Sequence, residues 1–293
     1  MTKEMQWPGF RSPADKGGCA MVNFRWLGTA GCEISAKGKT ILIDPYLSRP
    51  SKREIFLGSL TPREDVISRY AESLPAPCAA IIAGHTHFDH ALDIPPMAEY
   101  CKGPVVGSKS LQTLMGFYGK RESVVVCEGN ERIRLSDDMV VTMIPSRHGK
   151  VLMGKVPYPG EIRVSAQLPL KAKEYRLGGM FIPHLAVDGI SIMHVGSANF
   201  IESALERTRC DVLLMCVPGW ERVEEYTTSL LHLLKPSCII PFHFDDFTLP
   251  VGDDGQVASF PFLKLKSFVA RIRASAPRAV IRIPRPFENI ELS

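Results

Sequence analysis

The sequence lacks several features that mark particular classes of protein. Its eight cysteines form no C-x-x-C pair and several sit in apolar runs, so we interpret them as reduced, mostly buried thiols. No apolar run approaches membrane-spanning length, and residues 1–20 lack the apolar core of a signal peptide. No basic run dominates, and 35 basic against 31 acidic residues argue against a nucleic-acid partner. Together these absences favour a cytoplasmic protein.

The composition is that of an ordinary globular protein, with 45% apolar and 23% charged residues in a chain of 293. We expect residues 1–20 to form an N-terminal extension and residues 21–293 to form a single α/β domain. A domain of this size buries enough apolar surface to fold without a metal or a disulfide. Any bound metal is therefore expected to serve function rather than folding.

Three histidines and an aspartate fall within six consecutive residues: His85, His87, Asp89 and His90. The apolar run at residues 79–83 predicts a buried strand that ends just before them. Open sheets place ligand sites at the carboxyl ends of strands, and imidazole and carboxylate are ligands for zinc and similar metals. His85 and His87 are expected to share one ion, and Asp89 and His90 to serve a second. The alternative, a polar surface loop, is disfavoured because three of only eight histidines fall here.

Other predicted strands also end in polar residues. A lone histidine at such a place is more often a hydrogen-bonded polar residue than a metal ligand. The recurrence of such residues at several strand ends, beside Gly or Pro, favours one shared site. The residues are Asp44, His148, Ser197 and His243.

Two segments and one helix start carry further expectations. Residues 150–179 have little periodicity, three prolines and a basic bias, which predicts a lid-like insertion; a variable surface loop is the equal alternative. Residues 261–275 predict a helix with an apolar stripe among basic residues, typical of a docked surface helix, with membrane-surface binding as the alternative. At residues 61–64, Thr61 is expected to cap a helix that runs to about Ser73.

These pieces resemble the metallo-β-lactamase superfamily. The matching motifs are H-x-H-x-D-H at residues 85–90, then His148, then HVGS at residues 194–197, and IPFH at residues 240–243. Residues 27–31, 41–45 and 234–236 are similar to the branch that holds L-ascorbate-6-phosphate lactonase and N-acyl-phosphatidylethanolamine phospholipase D type enzymes. The resemblance covers roughly residues 22–250 and implies a four-layer αββα sandwich with two mixed sheets.

The resemblance also implies a ligand set and one departure from it. In the family an aspartate usually bridges two ions, and this chain has Ser197 there, which should weaken dinuclear binding. Asp44 is expected to orient a ligand histidine. One or two divalent ions are expected, zinc first, with manganese or iron as alternatives. By position, His85, His87 and His148 would hold the first metal, and Asp89, His90 and His243 the second.

The implied activity is metal-assisted hydrolysis of a small-molecule ester, lactone or phosphodiester. Asp89 would both ligate and orient the attacking water, and Arg147 with the basic insertion suggests an anionic substrate. The alternatives are a catalytically degraded member that binds a ligand or partner, a di-iron redox protein, and a lipid hydrolase at a membrane surface. The di-iron alternative ranks last, because such relatives typically carry an acidic residue at the position of His87.

Overall fold

The computed structural model describes residues 4–6, 21–151, 153–251, 255–260 and 263–292. Its strands, in chain order, are β1 (Glu4–Gln6), β2 (Val22–Gly28), β3 (Gly31–Ala36), β4 (Lys39–Ile43), β5 (Cys78–Ile82), β6 (Val105–Gly107), β7 (Val124–Val126), β8 (Arg132–Ser136), β9 (Met139–Pro145), β10 (Phe181–Val187), β11 (Ile190–Val195), β12 (Val212–Cys216), β13 (Cys238–Phe242), β14 (Val280–Ile281) and β15 (Asn289–Leu292). The α-helices are α1 (Lys52–Leu57), α2 (Glu64–Glu72), α3 (Phe88–Ala91), α4 (Ile94–Met97), α5 (Lys109–Phe117), α6 (Glu202–Leu205), α7 (Tyr226–Leu234) and α8 (Leu265–Ser275).

The described strands form two mixed sheets. One has the order β15-β2-β3-β4-β5-β6-β7, and the other has the order β1-β8-β9-β10-β11-β12-β13-β14. In each sheet an antiparallel part, β15 to β4 or β8 to β11, continues into a parallel part. Because parallel strands end at a common edge, β4, β5, β11, β12 and β13 deliver the residues that follow them to one region.

Two apolar cores hold the layers together. The larger core contains inward residues of both sheets, such as Phe24 and Leu185, together with residues of α7 and α8 such as Leu230 and Phe268. The second core joins the outer face of the β4–β6 region to α2, α4 and α5. Helices therefore cover both sheets, which confirms the predicted αββα sandwich. Among the described residues, no helix combines the length and apolar content needed to cross a bilayer.

The predicted N-terminal extension falls mostly outside the described residues. Only Glu4–Gln6 is described, and it pairs in parallel with β8. The division into an extension and one domain stays a prediction.

The start of α2 differs from the sequence expectation. The helix begins at Glu64, its capping residue is Arg63, and no side chain caps it, so the expected Thr61 cap is wrong. The Arg63 backbone N–H instead donates to the Ser48 hydroxyl at 2.7 Å. The C-terminal helix α8 begins at Leu265, and residues 261 and 262 of its predicted first turn lie outside the described part.

The segment 150–179 connects β9 to β10 and lies against the second core. Ile162, Leu170 and Tyr175 are buried there. The Thr86 N–H in the histidine segment donates to the Leu177 carbonyl at 3.0 Å. The insertion is thus anchored beside the histidine segment.

Candidate metal centre

The histidine cluster lies where β5 ends and α3 begins. His85 is in the connecting loop, His87 is the extended residue immediately before α3, and Asp89 and His90 lie within the helix. The backbone changes from extended to helical after His87. His85 and His87 belong to one group of candidate ligands, and Asp89 and His90 belong to another. All three histidines are at most 4% exposed.

The first group of candidate ligands is His85, His87 and His148. Their ligand nitrogens all lie within 4.8 Å of one another, and their ring centroids are 4.7 to 4.9 Å apart. His148 follows β9, which belongs to the other sheet. The strand ends therefore bring together two histidines of one sheet and one of the other.

Hydrogen bonds fix which ring nitrogen of two of these histidines is free. His87 Nε2 lies 2.9 Å from the Pro157 carbonyl, and His148 Nδ1 lies 2.7 Å from the Gly149 carbonyl. A carbonyl oxygen only accepts, so both of these nitrogens carry the proton. The lone pairs of His87 Nδ1 and His148 Nε2 remain available to a metal.

The chemistry of this group fits a cation. His87 Nδ1 lies 3.0 Å from His85 Nε2. Burial holds the pKa of His85 well below its ordinary value, and burial followed by the nearby His148 lowers the pKa of His87 to about 3. Neutral imidazoles that converge in a buried place are the ligand form that zinc and similar ions require.

The second group is Asp89, His90 and His243. Asp89 Oδ2 lies 3.9 Å from His90 Nε2 and 3.5 Å from His243 Nε2. Burial opposes ionisation of Asp89, but His90 and His243 outweigh it and lower the carboxyl pKa. Asp89 therefore remains a carboxylate, which is the form that binds a metal.

Asp44 lies near both groups, because its carboxylate forms a third cluster with His85 and His90 whose ligand atoms all lie within 4.8 Å of one another. Its Oδ2 lies 2.7 Å from His90 Nδ1, and its Oδ1 accepts the Gly84 N–H at 2.7 Å. Burial disfavours the charged form of His90, but Asp44 and Asp89 outweigh it and raise the His90 pKa. Since Asp44 occupies Nδ1, His90 Nε2 is the nitrogen left to face Asp89. The contact is of the kind expected for Asp44, and its orienting role stays a prediction.

Ser197 follows β11 and lines a cavity beside the candidate ligands. It is 3% exposed, and its hydroxyl accepts the Gly149 N–H at 2.9 Å. Asn199 in the same turn donates to the His148 carbonyl at 3.1 Å. The turn after β11 thus holds the backbone that carries His148.

His243 is held by contacts that the sequence did not reveal. Its backbone has φ +63°, and two residues later Asp245 forms a buried ion pair with Arg49 and accepts the Thr29 N–H at 2.9 Å. A Cβ on Gly28 would lie 1.9 Å from an Arg49 nitrogen. The signal available in the sequence was the glycine-rich turn at residues 28–31, whose small residues leave room for this pair.

The remaining residues of interest lie around the centre. Arg147 is exposed and does not line the cavity, and its substrate role stays a prediction. Cys216 lines the cavity but belongs to none of the candidate ligand groups found among the described residues. His194 is fully buried and bonds the Ala30 carbonyl at 2.9 Å, and the half-buried His184 lies 2.7 Å from the Ser191 hydroxyl.

A cavity of about 440 Å³ opens beside Asp89, His148 and His243. Sequence reasoning did not identify its lining. Its walls are largely aromatic and aliphatic, and three basic side chains belong to it: Lys52, Arg222 and Lys264. Cavities of this size and character accommodate small molecules.

Comparison with known proteins agrees with the fold. In structure, the chain is similar to Igni18, a metallo hydrolase from Ignicoccus hospitalis, with TM-score 0.61, 16% identity, and coverage of 93% of this chain and 99% of that one. It is also similar to CmlA, a di-iron β-hydroxylase from Streptomyces venezuelae, with TM-score 0.60, 13% identity, and coverage of 96% of this chain and 55% of that one. At these identities the likeness concerns the fold alone.

Sequence comparison is more specific. The chain is 26% identical over 241 residues to a UPF0173 metal-dependent hydrolase of Archaeoglobus fulgidus. The aligned region covers 79% of this chain and 87% of the relative. The family profile described as the beta-lactamase superfamily domain matches residues 23–243, from β2 to the last candidate ligand. The chain therefore belongs to the beta-lactamase superfamily with the metallo-β-lactamase fold.

Proposed function

We propose that the protein is a metal-dependent hydrolase that acts on an ester, lactone or phosphodiester of a small molecule. The observation that carries this proposal is the first ligand group. His87 and His148 each have one nitrogen fixed on a carbonyl, so their other nitrogens are left as neutral donors in a group with His85. The names of the UPF0173 relatives support the same activity class.

The residues of this chain divide the work of hydrolysis. A bound divalent cation would polarise the scissile carbonyl or phosphoryl oxygen and lower the pKa of water from about 15.7 to about 7. Asp89 lines the cavity together with His90 and His243, and its side chain is 14% exposed against 2% and 8% for these two histidines. Its lowered pKa keeps it able to accept a hydrogen bond from the attacking water and orient it. The apolar walls limit competing water.

The proposal includes zinc as the first candidate metal, because the ligand set is mostly imidazole. Iron and manganese are the alternatives. A cytoplasmic location is also part of the proposal, and the free, mostly buried thiols support it. A lactonase-like substrate would extend the resemblance seen at residues 27–31 and 234–236.

The test is metal content and turnover in the variant His87→Ala. We expect loss of at least one bound ion and a fall of more than about 100-fold in hydrolysis of generic lactone and phosphodiester substrates, because ligand loss costs more than the 10–100-fold typical of residues around a metal. Plasma mass spectrometry gives the metal identity and stoichiometry. His184→Ala, outside the centre, is the control. Unchanged metal content and activity in His87→Ala would reject the site.

A second candidate is a degraded member of the fold that binds a ligand without turnover. Ser197 supports it, because a neutral hydroxyl committed to the Gly149 N–H is a poor substitute for a bridging carboxylate. The variant Ser197→Asp separates the two candidates. A large gain of bound metal with new turnover would favour degradation, whereas a full metal complement already present in the wild type favours an active enzyme. Ser197→Ala controls for loss of the Gly149 bond.

A further inference from the structure

The cavity has an aromatic wall that begins at the metal centre. Phe247 lies 6.2 Å from the His243 ring and 6.0 Å from Phe88, and Phe260 follows at 5.4 Å from Phe247. These distances are typical of packed aromatic pairs. Phe88 is buried, while Phe247 and Phe260 are partly exposed to the cavity. The wall offers a continuous apolar path outward from the candidate ligands.

The path ends at basic side chains. Lys52 Nζ lies 6.0 Å from the centre of the Phe260 ring, and Lys264 and the exposed Arg222 line the same cavity. Lys52 pairs with Asp246 at 3.3 Å and Lys264 with Glu221 at 2.9 Å, but both lysine side chains are more than half exposed. The Lys264–Glu221 pair is exposed on both sides, and such pairs contribute little, so Lys264 remains able to bind another anion. Lys52 also holds the buried Asp246, but its own side chain is 56% exposed.

One further residue, Phe56, exposes a large apolar side chain at the mouth of the cavity. Phe56 on α1 lines the cavity although it is 75% exposed, and α1 buries none of its residues. Its neighbour Leu57 is 82% exposed and does not line the cavity. A bound apolar group would cover Phe56, and this burial would contribute to affinity.

We propose that the cavity binds one dissolved amphipathic anion, with its scissile group at the metal centre, a hydrocarbon or aromatic spacer along Phe247 and Phe260, and a negative charge at the far end near Lys52 and Lys264. The placement of the scissile group rests on the proposed function. The binding of an apolar spacer with a distal anion does not. A free molecule fits this recessed cavity better than a lipid surface does, since α1 presents only two large exposed apolar side chains.

The binding experiment uses chelator-treated protein, so it is independent of hydrolysis. The fluorescent probe 8-anilinonaphthalene-1-sulfonate reports occupancy, and three competitors are compared: octane-1-sulfonate, ethane-1-sulfonate and octyltrimethylammonium. We expect octane-1-sulfonate to displace the probe at concentrations at least about tenfold lower than either of the others, because both the chain and the charge are recognised. Equal displacement by the short sulfonate or by the cation would overturn the proposal.

Matched variants locate the binding. Phe56→Ala should weaken octane-1-sulfonate binding roughly three- to tenfold, which is the scale of one truncated apolar contact, while Leu57→Ala leaves it unchanged. Lys264→Glu should weaken the binding of octane-1-sulfonate by about tenfold, whereas Lys266→Glu, two residues further along the chain and outside the cavity, should not. Equal effects within either pair would mean that the probe binds elsewhere and would overturn the proposal.

The activity arm compares 4-nitrophenyl octanoate with the mono-4-nitrophenyl ester of octanedioic acid, in which a carboxylate replaces the terminal methyl group. We expect the metal-loaded enzyme to prefer the anionic ester in kcat/KM by about tenfold, and Lys264→Glu to abolish the preference. Hydrolysis without this preference overturns the inference and leaves the proposed function standing. Absence of hydrolysis of these esters and of the generic lactone and phosphodiester substrates, together with selective binding of octane-1-sulfonate, rejects the proposed function and supports the cavity assignment.

A sedimentation arm distinguishes a dissolved ligand from a lipid surface. The protein is mixed with vesicles of anionic phosphatidylglycerol and centrifuged at low salt. We expect it to remain in the supernatant. Co-sedimentation that salt abolishes and that Phe56→Ala prevents would assign the apolar mouth to a membrane and overturn the proposal.

Discussion

At the scale of single residues, the candidate centre depends on which imidazole nitrogen is already occupied. Carbonyls of Pro157 and Gly149 occupy one nitrogen of His87 and of His148, and Asp44 occupies one nitrogen of His90. Such partners fix both the tautomer and the ring orientation of a ligand histidine. The geometry of the centre is thus set by groups that would not themselves touch the metal.

The first prediction concerns Asp44. In Asp44→Asn an amide oxygen still accepts the Gly84 N–H, but the amide NH₂ then faces His90 Nδ1 and shifts the imidazole proton to Nε2. We expect metal affinity to fall by about 10- to 100-fold with little change in fold. Titration against a chromophoric chelator measures it, and Asp188→Asn, a carboxylate paired with Lys37 away from the centre, is the control. An unchanged affinity would contradict the role given to Asp44.

The second prediction concerns His194 and pH. Burial lowers its pKa, while nearby Asp44 opposes the shift, and Nδ1 has no hydrogen-bond partner among the described residues. In the unfolded state the His194 imidazole has its ordinary pKa of about 6.5, so it binds a proton more readily there than in the folded state. The stability that neutral His194 contributes is therefore complete above this pKa and is lost as the pH falls below it, at up to about 1.4 kcal/mol per pH unit.

The measurement is the free energy of urea unfolding at pH 7.5 and pH 5, with chelator present. The variant His194→Gln retains a donor for the Ala30 carbonyl but no titrating group. Other buried histidines contribute equally to both proteins. We expect the wild type to lose more stability than the variant over this range, and an identical decline in both would remove His194 as a cause.

At the scale of elements, the 150–179 insertion and the histidine segment form one packed unit. The Thr86 hydroxyl and N–H contact carbonyls at the end of the insertion, and the Pro157 carbonyl reaches His87. This segment, for which the sequence left a lid and a variable surface loop as equal alternatives, supplies part of the ligand scaffold. Motion of this segment would disturb the metal ligands themselves.

This unit gives the third prediction. Gly178 (φ +63°) lets the insertion approach closely, since a Cβ there would lie 2.6 Å from Ser110 Cβ and 2.9 Å from Thr86 Oγ1. Gly160 (φ +89°) lies in the same segment, but its Cβ would meet only Arg176 at 3.5 Å. Both glycine-to-alanine changes carry backbone strain of about 1–2 kcal/mol. Gly178→Ala should cost about 1–3 kcal/mol more and also weaken metal binding.

Unfolding free energies and metal affinities of the two variants measure this difference. The shared positive φ makes Gly160→Ala a control for strain alone. If both variants lose the same stability and bind metal equally well, the insertion does not support the centre.

Sequence patterns predicted the elements whose own residues show a recognisable pattern of apolar and polar side chains. The buried run of β5 and the alternation in β2 show in the sequence, as do the turns that join β2 to β4. The strand β8 was missed although Arg132 and Arg134 alternate with its two apolar residues, because this pattern spans only five positions. The strand β15 was missed because its partner β2 is far away in the chain. The helix α1 buries nothing, so it has no apolar periodicity to detect.

The same distinction applies to the candidate centre. Residues at the ends of apolar strands were predictable, because parallel strands share an edge. The Pro157 carbonyl was not, since any residue has a carbonyl and only the folded insertion places this one at His87. The Arg49–Asp245 ion pair joins segments that no local pattern connects, and the basic mouth of the cavity likewise collects residues from distant elements.

At the scale of the whole molecule, the two apolar cores contain none of the candidate ligands. The larger core lies between the sheets and under α7 and α8, and the second lies under α2, α4 and α5. The candidate ligands lie at the strand ends, where the two sheets meet. The residues that stabilise the fold and the residues that would bind metal therefore lie in different parts of the molecule, in contrast to small zinc domains that fold only with their metal.

The last prediction follows from this separation. Removing metal with a chelator should leave the far-ultraviolet circular dichroism spectrum at 25 °C unchanged, because the apolar cores suffice for folding. The melting temperature should fall, since a ligand that binds only the folded state contributes RT ln(1 + [L]/Kd), about 2.7 kcal/mol at a free concentration of 100 Kd. Thermal melts at several fixed zinc concentrations check both the sign and the concentration dependence. Loss of secondary structure on chelation would show that the metal belongs to the folding core.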